Sequence, residues 1–221
     1  MRPLFLLLLF ISTIAVSTAQ QTSITLEDLW LNHRYSAKGV SGIRSMNDGA
    51  HYTTLSKKEK GQYIEKFSYK DGSKVEDILL PTDLTEGKRE LTIDDYHFNS
   101  DETQILIESE QETVYRYSTK GIYYLFDREH RKLRQVSTVG KASHCTFSPK
   151  GDRLAYIYNN DLYHTALRGR DVVQVTTTGK KNEVINGMCD WVYEEEFAFT
   201  KAYEWSPDGR YLLLSWAASG G

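Results

Sequence analysis

Phe147-Ser148-Pro149-Lys150-Gly151-Asp152-Arg153-Leu154-Ala155-Tyr156 is answered further along by Trp205-Ser206-Pro207-Asp208-Gly209-Arg210-Tyr211-Leu212-Leu213-Leu214, ten positions that align without a gap. Both copies have one physical form. An aromatic residue ends a strand, a Ser-Pro-x-Gly turn reverses the chain, and an alternating apolar strand follows. Proline presets φ in the turn, and glycine accepts the positive φ that closes it. A worn copy, Phe98-Asn99-Ser100-Asp101-Glu102-Thr103-Gln104-Ile105-Leu106-Ile107, precedes them, and Met46-Asn47-Asp48-Gly49-Ala50-His51-Tyr52 reads as a first. Aligned on Met46, Phe98, Phe147 and Trp205, the copies are 52, 49 and 58 residues apart.

Between the copies lie further short strands: Gly121 to Asp127, Leu133 to Ser137, Asp161 to His164 and Val172 to Thr176. A repeat of about 50 residues with about four strands is the signature of a β-propeller blade. No stretch after residue 19 sustains a 3.6-residue apolar period, which argues against a helical solenoid. The expectation is an all-β chain in which residues 20–221 form three to four blades, the N-terminal part of a larger propeller. The last copy stops one strand past its turn, and a blade edge needs a neighbour, so a truncated domain is expected.

Residues 1–19 read as a signal peptide. Arg2 supplies a positive charge, Leu4 to Val16 is nearly all apolar, and Ser17-Thr18-Ala19 offers small residues for cleavage. An apolar run of about 13 residues is short for crossing about 30 Å of hydrocarbon, so a secreted or periplasmic product, free or associated with the cell surface, is expected, with no membrane span after cleavage. An uncleaved anchor is the alternative. A net charge of −3, with no basic stripe interleaved with aromatics, excludes a nucleic-acid partner. The two cysteines, Cys145 and Cys189, are read as free thiols, with pairing left open. Neither has a second ligand at metal spacing, so neither a metal nor a cofactor is expected.

One segment interrupts the repeat. The longest interval contains Asp190-Trp191-Val192-Tyr193-Glu194-Glu195-Glu196-Phe197. Asp190 can cap a short helix over Trp191 to Phe197, where early carboxylates complement the helix dipole. On a helix, successive carboxylates lie about 100° apart and can converge on one cation, whereas a strand would send them to opposite faces. Crowded carboxylates repel one another, which favours capture of an ammonium. The plain alternative is a solvated helix start.

This run resembles the double-glutamate motif of the dipeptidyl peptidase IV family of serine peptidases, set between two blade turns as it is there. The similarity extends through Tyr156-Ile157-Tyr158-Asn159-Asn160-Asp161-Leu162-Tyr163 and Gly42-Ile43-Arg44-Ser45-Met46-Asn47-Asp48-Gly49. The resemblance implies that Glu195 and Glu196 bind the free N-terminus of a peptide substrate. It gives Glu194, Asp190, Trp191 and Tyr193 supporting places. It also implies that Arg116, in Val114-Tyr115-Arg116-Tyr117-Ser118, binds the carbonyl of the second substrate residue, the alternative being an exposed strand arginine. The activity it implies is release of N-terminal dipeptides with Pro or Ala second, by a full-length enzyme that is a homodimer. Such an enzyme carries a Gly-x-Ser-x-Gly elbow on an α/β-hydrolase domain. No such elbow occurs in this sequence, and His33, His51, His97, His130, His144 and His164 are read as strand or loop surface. The chain alone is therefore expected to be inactive. A non-enzymatic secreted propeller that binds or assembles remains the competing reading, as do tripeptidyl- or acylaminoacyl-type specificities.

Overall fold

A computed structural model describes residues 23–37, 42–86, 89–136, 140–169 and 171–218. The predicted signal peptide lies outside the described residues. The chain divides into two units, Met1–Val40 and Ser41–Gly221. In the first, one π-helical turn spans Glu27–Leu31 and leaves Trp30 and Leu31 exposed. Among the described residues no helix is long and apolar enough to cross a membrane.

The second unit carries the repeat. Strands β1 (Arg44–Ser45), β2 (His51–Lys58), β3 (Gly61–Ser68) and β4 (Lys74–Leu79) form the first antiparallel four-stranded sheet, in sequence order. After a two-stranded ribbon, β5 (Thr85–Glu86) and β6 (Arg89–Glu90), the second sheet contains β7 (Asp95–Phe98), β8 (Gln104–Thr113), β9 (Thr119–Asp127) and β10 (Lys132–Gln135). The third contains β11 (Ser143–Phe147), β12 (Arg153–Tyr158), β13 (Asp161–Ala166) and β14 (Val172–Gln174). The fourth blade is built from two pairs: β15 (Val184–Asn186) with β18 (Trp216–Ala218), and β16 (Tyr203–Trp205) with β17 (Leu212–Leu214). Each quoted turn joins the first and second strands of its sheet. The result is three blades and part of a fourth, a partial β-propeller.

The turns share one hydrogen-bond pattern, and the pattern corrects the alignment of the first copy. Ser148 N–H donates to the Arg153 carbonyl and Gly151 N–H to the Ser148 carbonyl, as Ser206 does to Tyr211 and Gly209 to Ser206. In the first blade these roles fall to Met46 with His51 and to Gly49 with Met46. Met46 therefore matches Asn99, Ser148 and Ser206, and not the aromatic anchors, so the first interval is 53 residues, counted from Gly49 to Glu102. Met46 imitates an anchor because its side chain is buried in the core. Glu102 takes the left-handed glycine position at φ 58°, a conformation that costs a non-glycine residue about 1–2 kcal/mol. Its carboxylate offsets this by accepting the Asn47 N–H of the neighbouring turn at 2.6 Å.

Strand alternation builds the core between blades and explains their stacking. On β8, Ile105 and Ile107 face Ile64, Ile78 and Leu79 of the first blade, while Leu106 faces the third. On β12, Leu154 and Tyr156 face the second blade, and Ala155 and Ile157 face Tyr203 and Trp205 of the fourth. These strands are apolar on both faces because both are covered. Burial of each Leu or Ile contributes about 1.5–3 kcal/mol.

Candidate functional site

Helix α1 (Trp191–Phe197) forms where the sequence placed it. The Asp190 side chain accepts the Tyr193 N–H at 3.0 Å, and Ala198, at φ 56°, ends the helix with its N–H returned to the Glu194 carbonyl at 3.0 Å. A left-handed C-terminal residue is an ordinary helix stop, although it suits glycine better than alanine. The three glutamates have separate surroundings. Glu194 points inward and is 1% exposed. One of its carboxylate oxygens accepts the N–H groups of Tyr117 at 2.6 Å and Ser118 at 2.8 Å, from the loop between β8 and β9. Burial alone would raise its pKa, yet these N–H groups outweigh burial and hold it below the usual carboxylate range.

Glu195 turns toward the same loop, where its carboxylate lies 3.2 Å from the Arg116 Nε. Glu196 is exposed and, among the described residues, has no ion pair. Arg116 sits on the loop that follows β8 and not within a strand, so it is not the exposed strand arginine of the alternative reading. Trp191 and Tyr193 are both exposed, and Tyr193 packs beside Phe197 at 5.8 Å between ring centroids. Phe197 in turn meets Phe199 at 6.2 Å. Arg116 and Glu195 thus meet beside the helix, with Glu196 exposed at the next position and Asp190 and Glu194 accepting backbone N–H groups. Cys145 and Cys189 are both free thiols.

His144 departs from the expectation of a surface histidine. It lies at φ 54° in a bulge of β11, where the register with β12 shifts between Ser143 and Thr146. Its Nε2 is buried without a hydrogen-bond partner among the described residues, and its ring lies within electrostatic reach of Lys201 and Glu194 and of the Thr200 carbonyl. Desolvation first, and the Lys201 charge second, lower its pKa to about 4 against the opposing pull of Glu194. The folded protein thus keeps this ring neutral, while the unfolded chain takes up a proton below about 6.5. Its contribution is complete above pH 6.5 and is lost as pH falls from there toward 4, up to about 3 kcal/mol. Glu108, which burial pushes up, works in the opposite direction, so the comparison must be with a variant. Denaturant midpoints for His144→Asn should fall less steeply than wild type between pH 7 and 4.5. Parallel curves would refute this account.

A sequence model of the dipeptidyl peptidase IV (DPP IV) N-terminal region matches residues 99–215, which include both the β8–β9 loop and α1. Over 120 residues the chain is 38% identical to prolyl endopeptidase FAP of Mus musculus, covering 53% of this chain and 16% of that protein. Over 123 residues it is 36% identical to dipeptidyl peptidase 4 of Sus scrofa, covering 55% and 16%. The crystal structure of Porphyromonas gingivalis dipeptidyl peptidase 4 superposes with a TM-score of 0.75 at 32% identity, over 86% of this chain and 27% of that one. The matches thus span about a sixth of each curated relative and about a quarter of the solved one. With the blade repeat, the capped glutamate helix and the family match all in one stretch, the chain belongs to the dipeptidyl peptidase IV family of serine peptidases and carries part of its N-terminal region.

Proposed function

We propose that this chain is the amino-terminus-recognising part of a secreted serine exopeptidase that releases dipeptides with Pro or Ala in second position. The observation that carries the reading is the pairing of Arg116 with Glu195 at 3.2 Å, beside a Glu196 that has no ion pair among the described residues, on the same short helix. An α-ammonium, with a free pKa of about 7.7–8.0, is largely protonated at neutral pH. It fits between the two carboxylates and makes charge-assisted hydrogen bonds worth about 1.5–3 kcal/mol each. The Arg116 guanidinium keeps donors free for a peptide carbonyl, since a guanidinium has five N–H groups and Glu195 engages the Nε edge. Amine and carbonyl contacts a fixed distance apart would set the scissile bond after the second residue, making the site a ruler for product length. The nucleophile belongs to a hydrolase domain that acts with the propeller in the full-length enzyme.

The mouse relative is called an endopeptidase, and cleavage within a chain needs no free amine. A blocked substrate separates the two modes. The full-length enzyme should cleave a Gly-Pro anilide with kcat/KM about 100-fold above that for its N-acetyl derivative, as expected when about 3 kcal/mol of amine binding is removed. Equal rates would remove the basis for the exopeptidase reading.

A further inference from the structure

We propose that Glu194 is a positioning residue that holds Arg116 in register with Glu195 by clamping the tip of the β8–β9 loop to helix α1. The proposal rests on the reading of Arg116 and Glu195 as substrate contacts. The β8–β9 hairpin does not fix its own tip. The ladder ends at Thr113 opposite Thr119, and beyond it Val114 N–H donates to the Ser118 carbonyl at 2.8 Å. Upstream, the pairing shifts register between Ser109 and Glu112, with Glu110 at φ 55°, so the ladder itself does not determine how far the loop reaches. Apolar packing does not anchor the tip either, because Val114, Tyr115 and Tyr117 are all exposed and the Arg116 side chain is 62% exposed.

What reaches the tip is the Glu194 carboxylate, which accepts two successive loop N–H groups from a helix 76 residues away in sequence. Adjacency then does the rest. Glu194 and Glu195 are neighbours on the helix, and Tyr117 and Arg116 are neighbours on the loop. Fixing Glu194 against Tyr117 fixes Glu195 against Arg116, one residue along each chain. The clamp is confined to a buried spot, whereas the Arg116 side chain that it sets is 62% exposed and that of Glu195 half-buried, so rigidity is supplied from beneath while the guanidinium stays accessible. This also explains why the motif carries three glutamates when two suffice for an ammonium.

The test uses the full-length enzyme and a Gly-Pro anilide. Glu194→Ala should lower kcat/KM about 50-fold, mainly through KM, and Glu194→Gln should recover most of that loss, because the amide oxygen still accepts both N–H groups. In an Arg116→Ala background, Glu194→Ala should add less than about twofold, the mark of two residues acting as a unit. Amide exchange at Tyr117 and Ser118 should quicken at least about 100-fold in Glu194→Ala while the Tyr193 amide keeps its protection. Full additivity with Arg116→Ala, or unchanged exchange at both amides, overturns the proposal. If Glu194→Ala does not fold, Glu194→Asp, one methylene too short to reach, takes its place, and the same additivity criterion decides. Glu196→Ala in the same assay tests the amine reading separately, since Glu196 lies outside the clamp.

Discussion

Replacing Glu195 by Ala in the full-length enzyme should lower kcat/KM for a Gly-Pro anilide about 10³- to 10⁴-fold, and the loss should exceed that from Glu196→Ala. Either change removes charge-assisted hydrogen bonds to the substrate ammonium, worth about 1.5–3 kcal/mol each. The two differ in what they leave behind. Without Glu196 the site loses a carboxylate that has no other ion-pair partner among the described residues. Without Glu195 it keeps the Arg116 guanidinium, which Glu195 neutralises at 3.2 Å, now uncompensated beside an incoming cation. Two like charges about 4 Å apart at an effective dielectric of 20 repel by about 4 kcal/mol, which solvent around the 62% exposed Arg116 side chain screens to about 2.5 kcal/mol. Glu196→Ala should therefore cost only about 10- to 150-fold, and Arg116→Ala placed on top of Glu195→Ala should not deepen the defect. Folding should hold in both single variants, because neither residue touches the Asp190 cap or the Glu194 clamp. Circular dichroism and melting temperature check that condition. Near-normal cleavage by either variant would sink the amine assignment, and an Arg116 change that worsens Glu195→Ala would sink the charge argument.

The blade turns and the glutamate helix were legible because their signals are local. A Ser-Pro-x-Gly turn, an alternating strand and an Asp cap three residues before a helical N–H are each decided within ten residues of chain. What escaped depends on contacts between distant segments. That Met46 fills a turn position rather than an anchor shows only in its hydrogen bond to His51. The inward turn of Glu194 depends on the Tyr117 and Ser118 N–H groups, and nothing in a run of three glutamates says which one is buried. Arg116 offered an exposed strand arginine as its plain alternative, yet β8 ends at Thr113. His144 lies in an alternating strand, Ser143-His144-Cys145, and only the bulge at that point turns its ring toward the helix. Alternation predicts faces correctly until a bulge adds a residue, and no local pattern marked this one.

Asp161→Ala should cost about 3–5 kcal/mol, the range for removing one member of a buried polar network, and should reduce activity although the residue lies far from α1 in sequence. Asp161 opens β13 directly after a hairpin whose Asn159 and Asn160 both take left-handed φ, at 48° and 65°. It is 6% exposed, and its Oδ1 accepts the Thr176 hydroxyl at 2.7 Å, the Gly179 N–H at 2.9 Å and the Asn186 amide at 3.0 Å. Its Oδ2 accepts the Gln174 amide at 3.3 Å. Those partners are spread along residues 174–186, the segment that leaves the third blade and leads through β15 into α1. The segment packs tightly there, since a Cβ on Gly179 would come within 2.6 Å of the Asn160 carbonyl. Alanine at 161 would leave the part-buried Gly179 N–H without its acceptor and the Asn186 amide with the Thr178 hydroxyl alone, so the segment would open to water and take the approach to the glutamate helix with it. For a domain of this size the melting temperature should fall by about 6–20 °C, and kcat/KM should fall through KM as α1 loses its fixed entry. Asp161→Asn, which keeps one acceptor oxygen but turns an N–H₂ toward donors, should lie between the two. A variant that melts with wild type would mean that the path from third blade to glutamate helix is held elsewhere, most directly by the Asn186 N–H on the Asn160 carbonyl at 2.9 Å.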